Sequence, residues 1–301
     1  MAPTTRVAGA GTGSFGVLVD VVAAGGVLVL SGAGLSTESG IPDYRGPTGL
    51  ARRGSGATPM TYQVFTGGAD ARRRYWARSH LGWRHIARAV PNDGHRAVAA
   101  LSRRGLLAGI ITQNVDGLHQ AADSGVGPGA ASAAGPVTGR AAITELHGSL
   151  HRVLCLSCGQ RTARSDLDRR LAAANPGWDP GSVSVNPDGD AALDDEAVAS
   201  FGVADCAACG GVLKPDVVFF GENVPPARTR ACYDLVEAAS ALVVLGSSLT
   251  VMSGFRYVRH AARRGRPVVI VNQGATRGDG YAAATLDAPL GQTLTSLVAA
   301  L

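Results

Sequence analysis

An α/β fold, a Rossmann-like parallel sheet with a small inserted zinc-binding module, is what this 301-residue sequence predicts. Two observations carry the prediction. The first is four short apolar runs that each end in glycine or small polar residues. Val27–Leu30 runs into Ser31-Gly32-Ala33-Gly34, Leu107–Ile111 into Thr112-Gln113-Asn114-Val115-Asp116, Leu242–Leu245 into Gly246-Ser247-Ser248, and Val268–Val271 into Asn272-Gln273-Gly274. Buried parallel strands read as near-continuous Val/Ile/Leu runs, and open α/β sheets bind ligands outside the carboxyl ends of their strands. The run ends therefore define one polar, glycine-lined crevice along one edge of one sheet. The second observation is a pair of Cys-x-x-Cys knuckles at Cys155/Cys158 and Cys206/Cys209.

The length suits one large domain or two smaller ones, and 46% hydrophobic residues supply a sizeable core. No apolar run reaches the roughly 18 residues of a membrane span. The N-terminus shows no charged segment followed by an apolar one, so the expected location is cytoplasmic. The formal charge of +5 rests almost wholly on arginine, and Lys214 is the only lysine. Arg72, Arg73, Arg74, Arg78, Arg84 and Arg88 fall in one expected helix. They read as a solvated helical face rather than a nucleic-acid site.

Along the chain, residues 1–16 read as a flexible leader. Gly11–Gly16 matches G-x-G-x-x-G letter for letter, but the dinucleotide motif counts only after a strand, and none precedes it. Gly32-Ala33-Gly34-Leu35-Ser36-Thr37 lacks the third glycine yet follows a strand and can begin a helix. Its backbone N–H groups suit a pyrophosphate. The acidic residue about 20 positions onward that holds a ribose in dehydrogenases is missing. Ile41-Pro42-Asp43-Tyr44-Arg45-Gly46 runs through that region instead, which argues against hydride transfer. A helical excursion occupies about 47–90. The Rossmann-like domain is assigned to 17–150 and 212–301, and the zinc module to 151–211.

Each cysteine knuckle is followed by glycine, Gly159 or Gly210-Gly211, which permits a tight turn. Four thiolates complete a tetrahedral zinc and leave no open position for a catalytic water, so the metal is expected to be structural. A cytoplasmic compartment disfavours the competing disulfides. His147 and His151 stand just upstream but have no vacancy to fill. A short helix is expected at Ser165–Ala174, and an acidic stretch surrounds Asp194-Asp195-Glu196. Cys232, unpaired in an amphipathic helix, reads as a small buried hydrophobe.

Six motifs occur in one order: Gly32–Arg45 (GAGLSTESGIPDYR), Thr112–His119 (TQNVDGLH), Glu145–Gly148 (ELHG), the paired knuckles, Leu213–Glu222 (LKPDVVFFGE) and Gly246–Leu249 (GSSL). Together they resemble the sirtuin family of NAD-dependent protein deacylases, from about Val17 to the C-terminus. The long gap between knuckles and the Tyr75–Arg78 and Leu150–Cys158 segments resemble class II members, the branch that includes the mitochondrial one with lipoamidase and ADP-ribosyltransferase reports. The resemblance implies NAD as cofactor, one structural zinc ion, and acyl-lysine proteins as partners. It places Gly32, Ala33, Gly34 and Ser36 at the phosphates, and Asp43, Tyr44 and Arg45 in a mobile cofactor loop. Gln113, Asn114 and Asp116 fall in the ribose and nicotinamide pocket. Gly246, Ser247, Ser248 and Asn272 lie along the phosphate and adenosine side, with Leu290 closing on the adenine.

In the family's reaction the acyl oxygen displaces nicotinamide, and a base then removes a ribose hydroxyl proton. The resemblance makes His147 that base, and Asn114 and Asp116 orient the carboxamide and water. An ordinary histidine pKa of about 6.5 suits the task. His119 reads as structural. Val217, Phe219, Gly221 and Glu222 belong to a strand entering a loop, Val217–Phe220 and beyond, beside which substrate backbone pairs by β-augmentation. Tyr75 and Arg78 match by spacing a Tyr-x-x-Arg pair with which desuccinylating members grip an acyl carboxylate; the other reading puts Tyr75 in the core and Arg78 on the basic face. Ser124–Arg140, rich in Ala, Gly and Pro, departs from the family and reads as a loop without packed structure. Two other functions remain open at this point: a protein mono-ADP-ribosyltransferase using the same NAD site, and an NAD-sensing, zinc-containing binding module.

Overall fold

The computed structural model describes residues 12–43, 59–130, 139–178, 193 and 195–301. Tyr44 and Arg45, the first part of the helical excursion through 58, residues 131–138 of the Ala/Gly-rich loop, and Asp194 lie outside the described residues.

The large sheet holds β1 (Val27–Ser31), β2 (Leu107–Thr112), β3 (Ile143–Glu145), β7 (Ala241–Leu245), β8 (Val268–Val271) and β9 (Ala284–Leu286) in the order β3-β2-β1-β7-β8-β9. Every pairing is parallel. Counted within this sheet the order is 3-2-1-4-5-6, the doubly wound dinucleotide-binding order. The order reverses between β1 and β7. Alternate residues of each strand face opposite layers. Val27, Val29, Val243 and Val269 pack with Leu18 and Val22 of α1 (Thr12–Ala23), Val98 and Leu101 of α4 (Asp93–Arg103), and Leu294 of α10 (Leu290–Ala300). Leu28, Leu30, Val244 and Ile270 face Val236 of α8 (Pro226–Ala238) and Phe255 and Val258 of α9 (Met252–Arg263). Helices on both faces explain why these strands are apolar without interruption.

A second sheet places β4 (Gly148–Cys155) between β5 (Arg161–Ala163) and β6 (Leu213–Val217), both antiparallel to it. Its core is separate. Phe65 of α2 (Tyr62–Gly67) and Tyr75 and Trp76 of α3 (Ala69–Arg88) pack with Val153, Leu167, Leu171, Phe201 and Leu213. Leu167 and Leu171 come from α6 (Arg164–Ala174), and α7 (Asp195–Ala199) adds Val198. The Trp76 indole N–H donates to the Leu213 carbonyl at 3.2 Å. The described part of the helical excursion thus shares the core of the cysteine-bearing layer, and that layer's sheet starts at Gly148, ahead of 151.

Helix α1 begins at Thr12, so residues 12–16 are helical where a flexible leader is expected. Phe15, Leu18 and Val22 recur at helical spacing and meet the large core. Gly13 and Gly16 accordingly sit in a helix and not in a phosphate loop. Strand β6 stops at Val217, short of the expected Phe220. Phe219 turns into a ring cluster with Phe65 and Tyr75, and Phe220 makes an isolated parallel bridge to Thr61. The Gly32 loop leads into two short 3-10 turns, Ala33–Leu35 and Thr37–Ser39, rather than a regular helix. No helix among the described residues is long and apolar enough to cross a membrane.

Candidate active site

A cavity of about 990 Å³ lies at the carboxyl ends of β1, β2, β7 and β8, centred where the strand order reverses. Residues 217–224, running on from the last residue of β6, and Leu150 of β4 close it from the second sheet. Of the expected site residues that are described, Gly32, Ala33, Gly34, Ser36, Asp43, Gln113, Asn114, Asp116, His147, Gly246, Ser247, Ser248, Asn272 and Leu290 all line it. So do Tyr75, Val217, Phe219, Gly221 and Glu222. Arg78, half-buried on α3, is not part of the lining.

The loops after β1 and β7 meet backbone to backbone. Gly32 N–H donates to the Leu245 carbonyl and Gly34 N–H to the Gly246 carbonyl, both at 2.9 Å. A Cβ on Gly32 would stand 2.7 Å from Ser247 Cβ, and one on Gly34 2.9 Å from Gly246 Cα. Close approach, rather than a need for unusual dihedrals, makes these positions glycine. The contact also corrects the reading of the loop as an open row of donors. Leu35 and Ser36 N–H groups turn inward to Gly32 and Ala33 carbonyls as well.

Around this contact the polar side chains are fixed by one another. The Asn114 amide donates to the Gly32 carbonyl and to Ser36 Oγ, each at 3.0 Å. Ser36 Oγ–H donates to Asp116 Oδ2 at 2.7 Å, and Asp116 Oδ1 accepts Leu118 N–H at 2.9 Å. The Gln113 amide donates to Ser247 Oγ at 2.8 Å, joining the loops after β2 and β7. Behind them His119 Nε2 lies 2.8 Å from Ser31 Oγ. Burial and the neighbouring His95 push the His119 pKa down to about 3, so it is a neutral structural group. His151, also buried, donates from Nε2 to the Asp116 carbonyl at 2.8 Å.

His147 follows β3 in a turn. Its Nδ1 is 2.9 Å from the Gln113 carbonyl and its Nε2 is 2.7 Å from Ser253 Oγ. A carbonyl only accepts, so Nδ1 carries the hydrogen. The Nε2 lone pair therefore accepts the Ser253 O–H. Burial holds the His147 pKa below its ordinary value; the Gln113 hydrogen bond raises it, and the charge of Arg228 lowers it further. The ring is a neutral base at neutral pH with a settled tautomer.

The segment after β6 is anchored at both edges. Val218 N–H donates to the His147 carbonyl at 2.8 Å and Tyr62 N–H to the Phe220 carbonyl at 2.9 Å. Glu222 accepts Phe219 N–H at 2.9 Å and pairs with the buried Lys214 ammonium at 2.9 Å. Lys214 also lies 4.7 Å from the Phe219 ring centre. One wall of the cavity is apolar: Ile41, Met60, Tyr75, Ile86, Leu150 and Phe219. Tyr75 joins it through edge contacts with Phe65, Trp76 and Phe219.

Ligating atoms of Cys155, Cys158, Cys206 and Cys209 all lie within 4.8 Å of one another. Cys155 and Cys209 sulfurs are 3.6 Å apart, Cys158 and Cys206 sulfurs 3.9 Å. A zinc tetrahedron with bonds of about 2.3 Å has edges of about 3.8 Å. The four thiols fit a structural zinc ion. Cys232 is fully buried on α8, as expected.

A model of the family described as "Sir2 family" matches residues 32–253. The chain belongs to the Sir2 family. It is 60% identical over 287 residues to NAD-dependent protein deacetylase 1 of Streptomyces coelicolor, covering 95% of this chain and 90% of that one. It is 47% identical over 285 residues to NAD-dependent protein deacetylase 1 of Mycobacterium avium, covering 93% of each. A solved Sir2–p53 peptide–NAD+ complex superposes with a TM-score of 0.70 at 27% identity, covering 93% of this chain and 95% of that chain. A structure of Sir2Tm bound to a propionylated peptide gives 0.68 at 26%, covering 94% and 96%. In this Sir2 chain the sequence motifs account for the loops after β1, β2, β7 and β8. They do not single out Ser253, Glu38, which accepts Gly291 N–H at the start of α10, or Arg256, which lines the cavity. The one signal for Ser253 is the Ser-Gly pair opening a helix: a Cβ on Gly254 would stand 2.5 Å from Gln113 Oε1, so a larger residue there would push the Gln113 amide aside.

Proposed function

We propose that this chain is an NAD-dependent protein-lysine deacylase, converting acyl-lysine, NAD and water to lysine, nicotinamide and O-acyl-ADP-ribose. One observation carries the reading: a neutral histidine of fixed tautomer faces a dinucleotide-sized cavity at the switch point of a 3-2-1-4-5-6 sheet. NAD supplies a ribose carbon from which nicotinamide leaves. Asn114 and Asp116, immobilised by Ser36 and the Gly32 carbonyl, orient the nicotinamide end. Ser247, Ser248 and Asn272 serve the phosphate and adenosine side, with Leu290 against the adenine. His147 Nε2 takes a hydroxyl proton. Residues 217–222 receive the substrate backbone as an added strand, and the apolar wall takes the acyl chain.

That wall favours neutral acyl groups over acidic ones, because Arg78 stands outside the cavity lining while Tyr75 is engaged in ring contacts. We place the chain in the class II branch on its Tyr75–Arg78 and Leu150–Cys158 segments. The test is mass spectrometry of products from NAD and acetyl-, succinyl-, glutaryl-, lipoyl- and long-chain acyl-lysine peptides, beside a His147→Tyr control. O-acyl-ADP-ribose that disappears in the control supports the reading. Nicotinamide release with ADP-ribose transferred to protein would replace it with mono-ADP-ribosyl transfer, and no NAD turnover would leave a binding module.

A further inference from the structure

We propose that Ser253 is a positioning residue for His147: its hydroxyl locks the imidazole ring with Nε2 facing the cavity and yields that lone pair to the reacting hydroxyl. The inference rests on the deacylase reading and on three observations.

First, the ring is held from two sides. Gln113 carbonyl accepts from Nδ1 at 2.9 Å and Ser253 donates to Nε2 at 2.7 Å. The Gln113 bond alone fixes the tautomer. The second bond adds an orientation, since both ring nitrogens are then tied to atoms on different elements. Second, Ser253 reaches this place through a built path. Leu249, buried after β7, has a left-handed backbone with φ of 55°, an uncommon conformation for a branched residue. It redirects the chain so that α9 starts beside the loop after β2. Gly254 then lets the first turn of α9 touch Gln113. Third, Ser253 itself lines the cavity next to His147, so a substrate hydroxyl entering there meets the same lone pair. Exchange of one O–H donor for another leaves the ring satisfied throughout. The charged group whose field reaches the ring is Arg228, which donates to the Leu146 carbonyl at 3.2 Å and contributes no bond to the imidazole itself.

The experiment compares Ser253→Ala and Ser253→Thr with the unaltered full chain. Freeing the ring from this orienting hold before the substrate hydroxyl arrives corresponds to about a tenfold loss in rate. Ser253→Ala is expected to lower kcat for deacylation about tenfold, with KM for NAD and for the acyl peptide within about twofold, and Ser253→Thr, which keeps the hydroxyl, is expected to restore most of it. The Nε2 nitrogen resonance of His147, read by NMR on the ligand-free protein, should move toward that of an unbonded lone pair in the alanine variant alone. An unchanged kcat or an unchanged Nε2 resonance in Ser253→Ala overturns the proposal. So does a loss that threonine fails to restore. If the unaltered chain makes no O-acyl-ADP-ribose, the deacylase reading falls, and the resonance still decides whether Ser253 holds the ring.

Discussion

Arg152→Met tests how the two layers are joined at the cavity. Arg152 stands on β4 with its guanidinium between two carboxylates. Nη2 is 2.6 Å from Glu145 Oε2, and Nε is 3.1 Å from Asp216 Oδ2. Glu145 ends β3, two residues before His147, and Asp216 lies on β6, one residue before Val217. A single side chain thus ties the strand leading to the proposed base to the strand leading to the proposed substrate edge. Methionine keeps an apolar stem and removes the charge. Asp216 retains Arg161 at 3.2 Å, so the loss falls on Glu145. Breaking a buried pair costs about 3–5 kcal/mol, while an exposed pair is worth about 0–1 kcal/mol. With Glu145 10% and Arg152 26% exposed, the expected loss is about 2–3 kcal/mol, or a Tm lowered by about 3–5 °C.

The pH dependence sharpens this. Burial pushes the Glu145 pKa above its ordinary value, and Arg152 pulls it partly back. Removing Arg152 raises it further. A carboxyl whose folded value exceeds its unfolded value binds more protons in the native state, so stability falls as pH climbs through that window. The deficit of the variant should therefore be smaller at pH 5 than at pH 8. Urea unfolding at both pH values measures it. A deficit below about 0.5 kcal/mol at pH 8, the range of an ordinary surface change, or one equal at both pH values, refutes the reasoning.

The remaining predictions concern the base, the metal and one glycine. Because burial lowers the His147 pKa and only the neutral ring can accept a proton, the acid limb of kcat/KM should fall below the ordinary histidine value of about 6.5; a limb centred above 7 would contradict the assignment. Metal analysis should find one zinc per chain, and Cys206→Ser should lose both the zinc and several degrees of Tm, because Cys155 and Cys206 sit with Leu213 and Val153 in the core of the second layer. Gly148 has φ of 85°, and a Cβ there would stand 2.0 Å from the Asp216 carbonyl oxygen. Gly148→Ala must part β4 from β6 next to His147, so a loss of about 2–4 kcal/mol together with most of the activity is expected; near-native urea stability would show that the strands tolerate separation.

The four central strands were legible because helices cover both faces of each, leaving short runs without charged or polar residues. The edge strands Ile143–Glu145 and Ala284–Leu286 were not, since three residues with a polar member carry no pattern. The cysteine cluster was legible by spacing alone, across 54 residues separating Cys155 from Cys209. Other features depended on contacts that no local pattern encodes. Nothing local in Gly32–Ser36 announces that most of its N–H groups are spent on Leu245, Gly246 and the loop's own carbonyls; that follows from how closely the loop after β7 approaches. The Tyr75–Arg78 spacing is one helical turn and suggests a shared grip. The ring cluster of Phe65, Trp76 and Phe219 claims Tyr75 for the cavity wall, and Arg78 is left outside the lining.

Ser253 marks the same boundary from the other side. Sequence order separates it from His147 by 106 positions, and a serine in the first turn of a helix has many uses. Its geometry becomes specific only through Leu249, Gly254 and Gln113 acting together. Motifs report the residues that every loop of the crevice must supply, because each loop is continuous in sequence. The hydrogen bond that would aim the base joins a loop and a helix start from opposite halves of the sheet, so it exists only where the strand order reverses and brings them together.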